Sequence, residues 1–372
     1  MVSNVFKSYL QRLMAVCAGL AFLTSPAIAA PDLAKIGPDL EHPWGMDFIS
    51  ATQMLVTERG GRLLRVDLAS GDATIIQNPT EVVARQQGGL LDVMVRGQDI
   101  YLCYSKMQDA GIVTAIDKAT LEGDRLENRQ TIFTSNNPSW QAVHYGCRLD
   151  NHAGYLYASL GERGVRENAQ NPQIHDGSII RLHLDGRIPA DNPKREGWAA
   201  HSFSIGHRNP QGMAIHPDTK ALWTHEHGPQ GGDEINIIKS GGNYGWPLVS
   251  HGEEYGNGGK VSPFETKPGF VDPSWVWVPS IAPSGMAFYP ARNGKVMFDE
   301  LAGGLLVGSL KFRRLYVVSM GDDGLPVSER VLIDKALGRI RDVAVAPDGA
   351  IMLLNDANAL TNPPGGLYRI SQ

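Results

Sequence analysis

Cysteine is scarce. Of three in 372 residues, Cys17 falls in an apolar N-terminal run and only Cys103 and Cys147 follow it. Two thiols are too few soft ligands for a structural zinc site, and in an oxidising compartment they either form one disulfide or stay as two buried thiols. Basic clusters never exceed a few residues, and the net charge is -5, so nucleic acid is not expected as a partner. Beyond the N-terminus no apolar run is long enough to cross a bilayer, and no stable membrane insertion is expected. Long capped stretches of helical period are also missing, which sets helical bundles aside.

What the chain does have begins with a leader. Lys7 and Arg12 are followed by an apolar core from Leu13 to Leu23 and by Ser25-Pro26-Ala27-Ile28-Ala29, the layout of a secretory signal with a small-x-small cleavage site. Val16 is too bulky to precede a lipoprotein cysteine at Cys17. Residues 1–29 therefore read as a cleaved signal, residues 30–372 as one domain, and the location as periplasmic.

Glycine is abundant, at 42 residues, which argues for short strands and many tight turns. A small-residue turn, an apolar strand and a partner strand recur six times, starting at Trp44, Gly88, Tyr145, Pro210, Pro283 and Arg341. The spacing of about 45 to 75 residues suits propeller blades with insertions. The expected fold is all-β, a six-bladed β-propeller of four-stranded antiparallel blades; a two-sheet sandwich would leave six recurrences unexplained. The segments after Gly161 and Gly245 are too long for blade turns and are expected to fold over one face.

Polar residues gather at the strand ends, most densely between Ser204 and Pro247. His144 stands at the start of a first strand, where an imidazole can take a proton from an alcohol near neutral pH. Arg208 and Asn209 offer a planar cation and an amide to a carbonyl oxygen. Arg339 and Arg341 point to the same side of an extended segment, and two adjacent cations call for an anion between them; Lys311 reaches the same mouth. Gly228 and Pro229 offer turn carbonyls beside Asp233 and Glu234, oxygen donors that suit calcium. His225 and His227 share a strand face without a third convergent ligand.

These motifs together resemble the glucose/sorbosone dehydrogenase family, the soluble aldose sugar dehydrogenases that use pyrroloquinoline quinone (PQQ). The resemblance is carried by Gln86-Gln87-Gly88-Gly89-Leu90-Leu91-Asp92, His144 before Tyr145-Gly146-Cys147-Arg148, Gly161-Glu162-Arg163-Gly164, Gly206-His207-Arg208-Asn209-Pro210-Gln211-Gly212, Gly241-Gly242-Asn243-Tyr244-Gly245-Trp246-Pro247, Ser309-Leu310-Lys311 and Arg339-Ile340-Arg341. It implies PQQ over the channel mouth and His144 as general base. Arg208 would stabilise charge on the quinone oxygen, Asn209 and Gln87 would contact the cofactor, and Tyr255 would face it. The segments Ser309-Leu310-Lys311 and Arg339-Ile340-Arg341 would hold its carboxylates. The carbonyls of Gly228 and Pro229 would hold a calcium ion, with Glu234 and the Tyr244 carbonyl at a second, structural one. Glu162 stands where glucose-specific relatives carry Asp, which leaves its support of His144 open; the chain is also shorter than theirs, lacking insertions that shape the sugar pocket and a dimer interface, which implies broad aldose specificity and a monomer, and the electron acceptor is left open. A calcium-dependent propeller lactonase and a non-catalytic exported binding propeller are the alternatives.

Overall fold

The computed structural model describes residues 32–256, 258–291, 296–358 and 360–372; the expected signal, residues 1–29, lies outside the described residues. Asp32–Ser371 form one compact unit. Strand β1 (Asp32–Leu40) leads into six four-stranded antiparallel sheets. β2 (Pro43–Ser50), β3 (Gln53–Glu58), β4 (Leu63–Asp67) and β5 (Ala73–Ile75) make the first blade. The second holds β6 (Leu90–Arg96), β7 (Asp99–Gln108), β8 (Gly111–Glu122) and β9 (Arg125–Thr134), and the third β10 (Leu149–His152), β11 (Tyr155–Leu160), β12 (Ser178–His183) and β13 (Ser202–Ile205). The fourth holds β14 (Pro210–Ile215), β15 (Leu222–Glu226), β16 (Asp233–Ile237) and β17 (Trp275–Trp277). The fifth is β18 (Pro283–Phe288), β19 (Leu305–Ser309), β20 (Arg314–Met320) and β21 (Pro326–Asp334). In the sixth, β22 (Ile340–Val345), β23 (Ile351–Asn355) and β24 (Gly365–Ser371) are completed by β1, which pairs Asp32 with Ser371 and Ile36 with Leu367. The structure is the six-bladed propeller expected. β24 is third in its blade, as β4, β12 and β20 are in theirs, and β1 takes the outermost place.

The apolar core sits between neighbouring sheets. Leu55 and Leu63 of the first blade pack with Leu90, Val93, Ile100, Leu102 and Ala119 of the second, all within 3 % of full burial, each aliphatic side chain contributing about 1.5–3 kcal/mol relative to exposure. Toward the axis the blades are stitched by carboxylates. Asp47 accepts the Val95 N–H, Asp92 that of Leu149, Asp150 that of Ile215, and Asp342 that of Met46. Each of these aspartates ties its inner strand to the next blade's, and the stitch between Asp342 and Met46 joins the sixth blade to the first. This fixes where the inner-strand starts meet, which is where the candidate residues lie.

Candidate active site

His144 lies in the connection from β9 to β10, five residues before β10 begins at Leu149. Its backbone lies at φ +50, a region a histidine adopts only when its surroundings hold it there. Those surroundings are visible. Its N–H donates to Gln87 Oε1 at 2.8 Å, and its carbonyl packs on Gly161, where a Cβ would come within 2.3 Å of the oxygen. Three residues on, Cys147 is disulfide-bonded to Cys103 of β7, so the pair left open above is joined and anchors the turn to the second blade. The imidazole Nδ1 lies 2.6 Å from Oε2 of the buried Glu162, an oxygen that also accepts the Gly164 N–H at 2.9 Å. A carboxylate there keeps the proton on Nδ1 and leaves Nε2 as the basic nitrogen. Glu162 thus supplies the support that a shorter aspartate gives in the glucose-specific pattern.

Arg208 is buried at the start of β14. Its Nη1 donates to the carbonyls of His227 (3.1 Å) and Gly228 (2.9 Å), and its Nε has no partner among the described residues. The guanidinium carbon lies 5.3 Å from the Trp246 ring. Asn209 Oδ1 accepts the Gly146 N–H at 3.2 Å, linking Arg208's segment to the His144 turn. Burial holds the pKa of His227 well below the ordinary histidine value, against the opposing effect of its bond to the Pro283 carbonyl, while the charge of Arg208 adds to the lowering. His225 is pushed down to about 3, again by burial. Both are neutral at pH 7. Among the described residues no three His, Cys, Asp or Glu side chains converge on a metal position.

A cavity of about 260 Å³ opens at this end of the channel and collects five of the expected cofactor residues, Gln87, Asn209, Leu310, Arg339 and Arg341. Trp44, Arg59, Gln211, His227 and Asp356 share its wall. Arg59 and Asp356 went unnoticed in the sequence; the signal was their place, since each follows the second strand of a blade. Asp356 also revises the argument from paired cations. It sits between the two guanidiniums, 2.6 Å from Arg341 Nη2 and 3.4 Å from Arg339 Nη2, so the anion that the arginines require is in part the chain's own. Burial raises the Asp356 pKa, but the charge and hydrogen bond of Arg341, then Arg339 and His42, outweigh it and leave the carboxyl well below the usual carboxylate range. Arg341 further donates to Gln211 Oε1 (2.9 Å) and Ser284 Oγ (3.1 Å), and its Nε is buried without a partner among the described residues.

Other expected positions lie elsewhere. Lys311 is exposed beside Phe312, and Ser309 Oγ donates to the Ile281 carbonyl. Ile340 is wholly buried in the core between the fifth and sixth blades. Tyr255 is 66 % exposed on the insertion between β16 and β17. Gly228 donates its N–H to Asp233 while its carbonyl already accepts from Arg208; Pro229 packs on Gly252. Glu234 and Tyr244 meet at a second cavity of about 10 Å³ shared with Glu226, the size of a single water or ion. Burial, and next the charge of Glu226, push the Glu234 pKa well up. Asn236 Oδ1 is buried nearby without a partner among the described residues.

Residues 40–367 match the family model described as Glucose / Sorbosone dehydrogenase. The chain belongs to that family and is an oxidoreductase. It is 37 % identical over 370 residues to the aldose sugar dehydrogenase YliI of Escherichia coli, covering 96 % of each chain. It is 27 % identical over 431 aligned positions to quinoprotein glucose dehydrogenase B of Acinetobacter calcoaceticus, covering 88 % of this chain and 87 % of the other. The crystal structure of the soluble aldose sugar dehydrogenase of E. coli in its apo form superposes with a TM-score of 0.85 at 35 % identity, over 92 % of this chain and 99 % of the other. With the family shown, the chain is a sugar dehydrogenase.

Proposed function

We propose that the chain oxidises aldose sugars at the C1 hydroxyl to lactones with PQQ as hydride acceptor, in the periplasm after removal of residues 1–29. The observation that carries the reading is the placement of His144, locked to Glu162, beside a cavity whose wall holds three arginines against one carboxylate. That wall fits a planar polyanion: Arg341 keeps a buried N–H without a partner among the described residues, and Asn209 and Gln87 add amides; Arg208 lines the smaller hole beside Glu226 and Glu234 instead. Arg339, Arg341, Asn209 and Gln87 would hold the cofactor. PQQ would supply an orthoquinone that accepts the hydride. His144 Nε2 takes the hydroxyl proton, Glu162 stabilises the resulting imidazolium, and Arg208 presents positive charge where negative charge grows. A lactonase would have no use for the arginine wall.

The test is reconstitution. Purified protein given PQQ and Ca²⁺ should reduce a dye with glucose, and protein without PQQ should not; lactone hydrolysis in place of dye reduction would overturn the reading.

The hole shared by Glu226, Glu234 and the Tyr244 segment fits a hard cation, which we assign as calcium on the two carboxylates and the Tyr244 carbonyl. Removing calcium should lower the Tm by several degrees. Glu234→Gln should abolish the calcium response and melt above the calcium-free wild type, because it removes a buried like-charge repulsion. An unchanged Tm on chelation would remove calcium from this hole. At Gly228 a cation would have to share its carbonyl with Arg208.

A further inference from the structure

Beneath the wall of three arginines lies another that the oxidation does not touch. Arg148, next to the Cys147 anchor, is buried. Trp44 of β2, Gln211 of β14 and Arg341 of β22 line the cavity that collects the candidate cofactor residues. Two places further along the same strands, and so on the same strand faces, Met46, Met213 and Val343 line another cavity, of about 290 Å³. The two share no lining residue and follow one another along the channel. Their charges are opposite. The first sets Arg59, Arg339 and Arg341 against Asp356, whereas the second sets Asp47, Asp92, Asp150 and Asp342 against Arg148 alone.

Arg148 lines the second cavity, but its contacts reach the floor of the first. Its guanidinium carbon lies 4.2 Å from the Trp44 ring, which Arg341 approaches at 5.8 Å. Its Nε donates to the Gln211 carbonyl at 3.1 Å, and the Gln211 side chain in turn accepts from Arg341 Nη1. From the other side Nη1 is held by Asp92 at 3.1 Å and Asp342 at 2.9 Å. Burial works against the charge of Arg148, but the charges of Asp342 and Asp92 outweigh it and hold the pKa above the ordinary arginine value.

A cation needed only to balance two aspartates would have no reason to turn toward the first cavity. This one lays its flat face on Trp44 and spends its Nε on Gln211, which a planar guanidinium can do and an ammonium cannot. It also stands between an anion in the first cavity and the carboxylates of the second, whose charge would otherwise repel that anion through a buried, weakly screened medium. We propose that Arg148 is a positioning residue for the cofactor, setting Trp44 and, through Gln211, Arg341 against the bound polyanion and shielding that anion from the carboxylates below. This rests on the dehydrogenase reading above.

The experiment titrates PQQ into cofactor-free protein in Ca²⁺ buffer and reads binding from the quenching of tryptophan fluorescence. Arg148→Lys keeps the charge and loses the flat face and the Nε bond; it should weaken PQQ binding about tenfold. The absorption of the bound cofactor should shift, and the sugar KM at saturating PQQ should stay unchanged. Arg148→Met loses the charge as well and should weaken binding about a hundredfold. Because Arg148 acts through Gln211 on Arg341, joining Arg148→Lys to Arg341→Ala should cost less than the product of the two single losses. A lower Tm with PQQ affinity within about twofold of wild type, or single losses that simply multiply, would make Arg148 a structural ion pair and overturn the proposal. If neither arginine variant folds, Asp92→Asn, which loosens the guanidinium without removing it, carries the same test against the same threshold. A wild type that binds no PQQ overturns the dehydrogenase reading and this inference with it, whereas binding that the variants leave intact overturns the inference alone.

Discussion

His144→Ala should lower kcat/KM for aldose oxidation by about 10²–10⁴, the range for loss of a positioned general base, while PQQ affinity and Tm stay near the wild-type values. The side chain is 17 % exposed and carries no part of the core, so its loss removes chemistry more than packing. Stopped-flow reduction of the bound cofactor in single turnover reads the step directly. A loss smaller than tenfold would show that another group takes the proton, and the Glu162 contact would then be structural.

Arg341→Ala should produce the largest loss of stability. The guanidinium is buried and bridges Asp356, Gln211 and Ser284, and breaking a buried pair by removing one partner costs about 3–5 kcal/mol, here toward the lower end because Asp356 keeps Arg339 at 3.4 Å and His42 at 3.2 Å. A Tm fall of roughly 4–7 °C follows for a chain of this size. The pH dependence has a definite sign. Because the Asp356 pKa is depressed in the native state, its contribution is present above the ordinary carboxylate range near pH 4 and is lost as pH falls through the native value. The wild type should thus destabilise steeply in acid, and Arg341→Ala less so. Binding of PQQ should weaken by roughly ten- to a hundredfold, as for loss of a hydrogen bond to a charged group, with sugar KM at saturating PQQ unchanged. The opposite pattern, intact PQQ affinity and a raised sugar KM, would place the sugar rather than the cofactor against this wall.

The ring was legible because a blade announces itself locally. Gly88-Gly89 must be small, since a Cβ on Gly89 would meet the Arg59 carbonyl at 1.9 Å, and the short apolar run that follows is a buried strand. β1 was not legible. Its burial alternates weakly, with Lys35, Pro38 and Asp39 near water, and its partner lies more than three hundred residues away. At the site, the turn around His144 could be read from its glycine and the motif after it. The Asp356 bridge could not, because the carboxylate arrives on a different strand end fifteen residues after Arg341 and only the register of β22 on β23 brings them together. Lys311 shows the converse: the sequence puts a cation at a blade turn, but a flexible exposed side chain has no fixed address.

The pairing of β1 with β24 sets an order of events. The strand that seals the last blade precedes all the others in the chain and its partner follows them, so the circle cannot close before β24 has been made. Until then an unsealed edge must be kept from joining other chains, and the gathered wall of arginines, which depends on the sixth blade, comes into being only once that blade is complete.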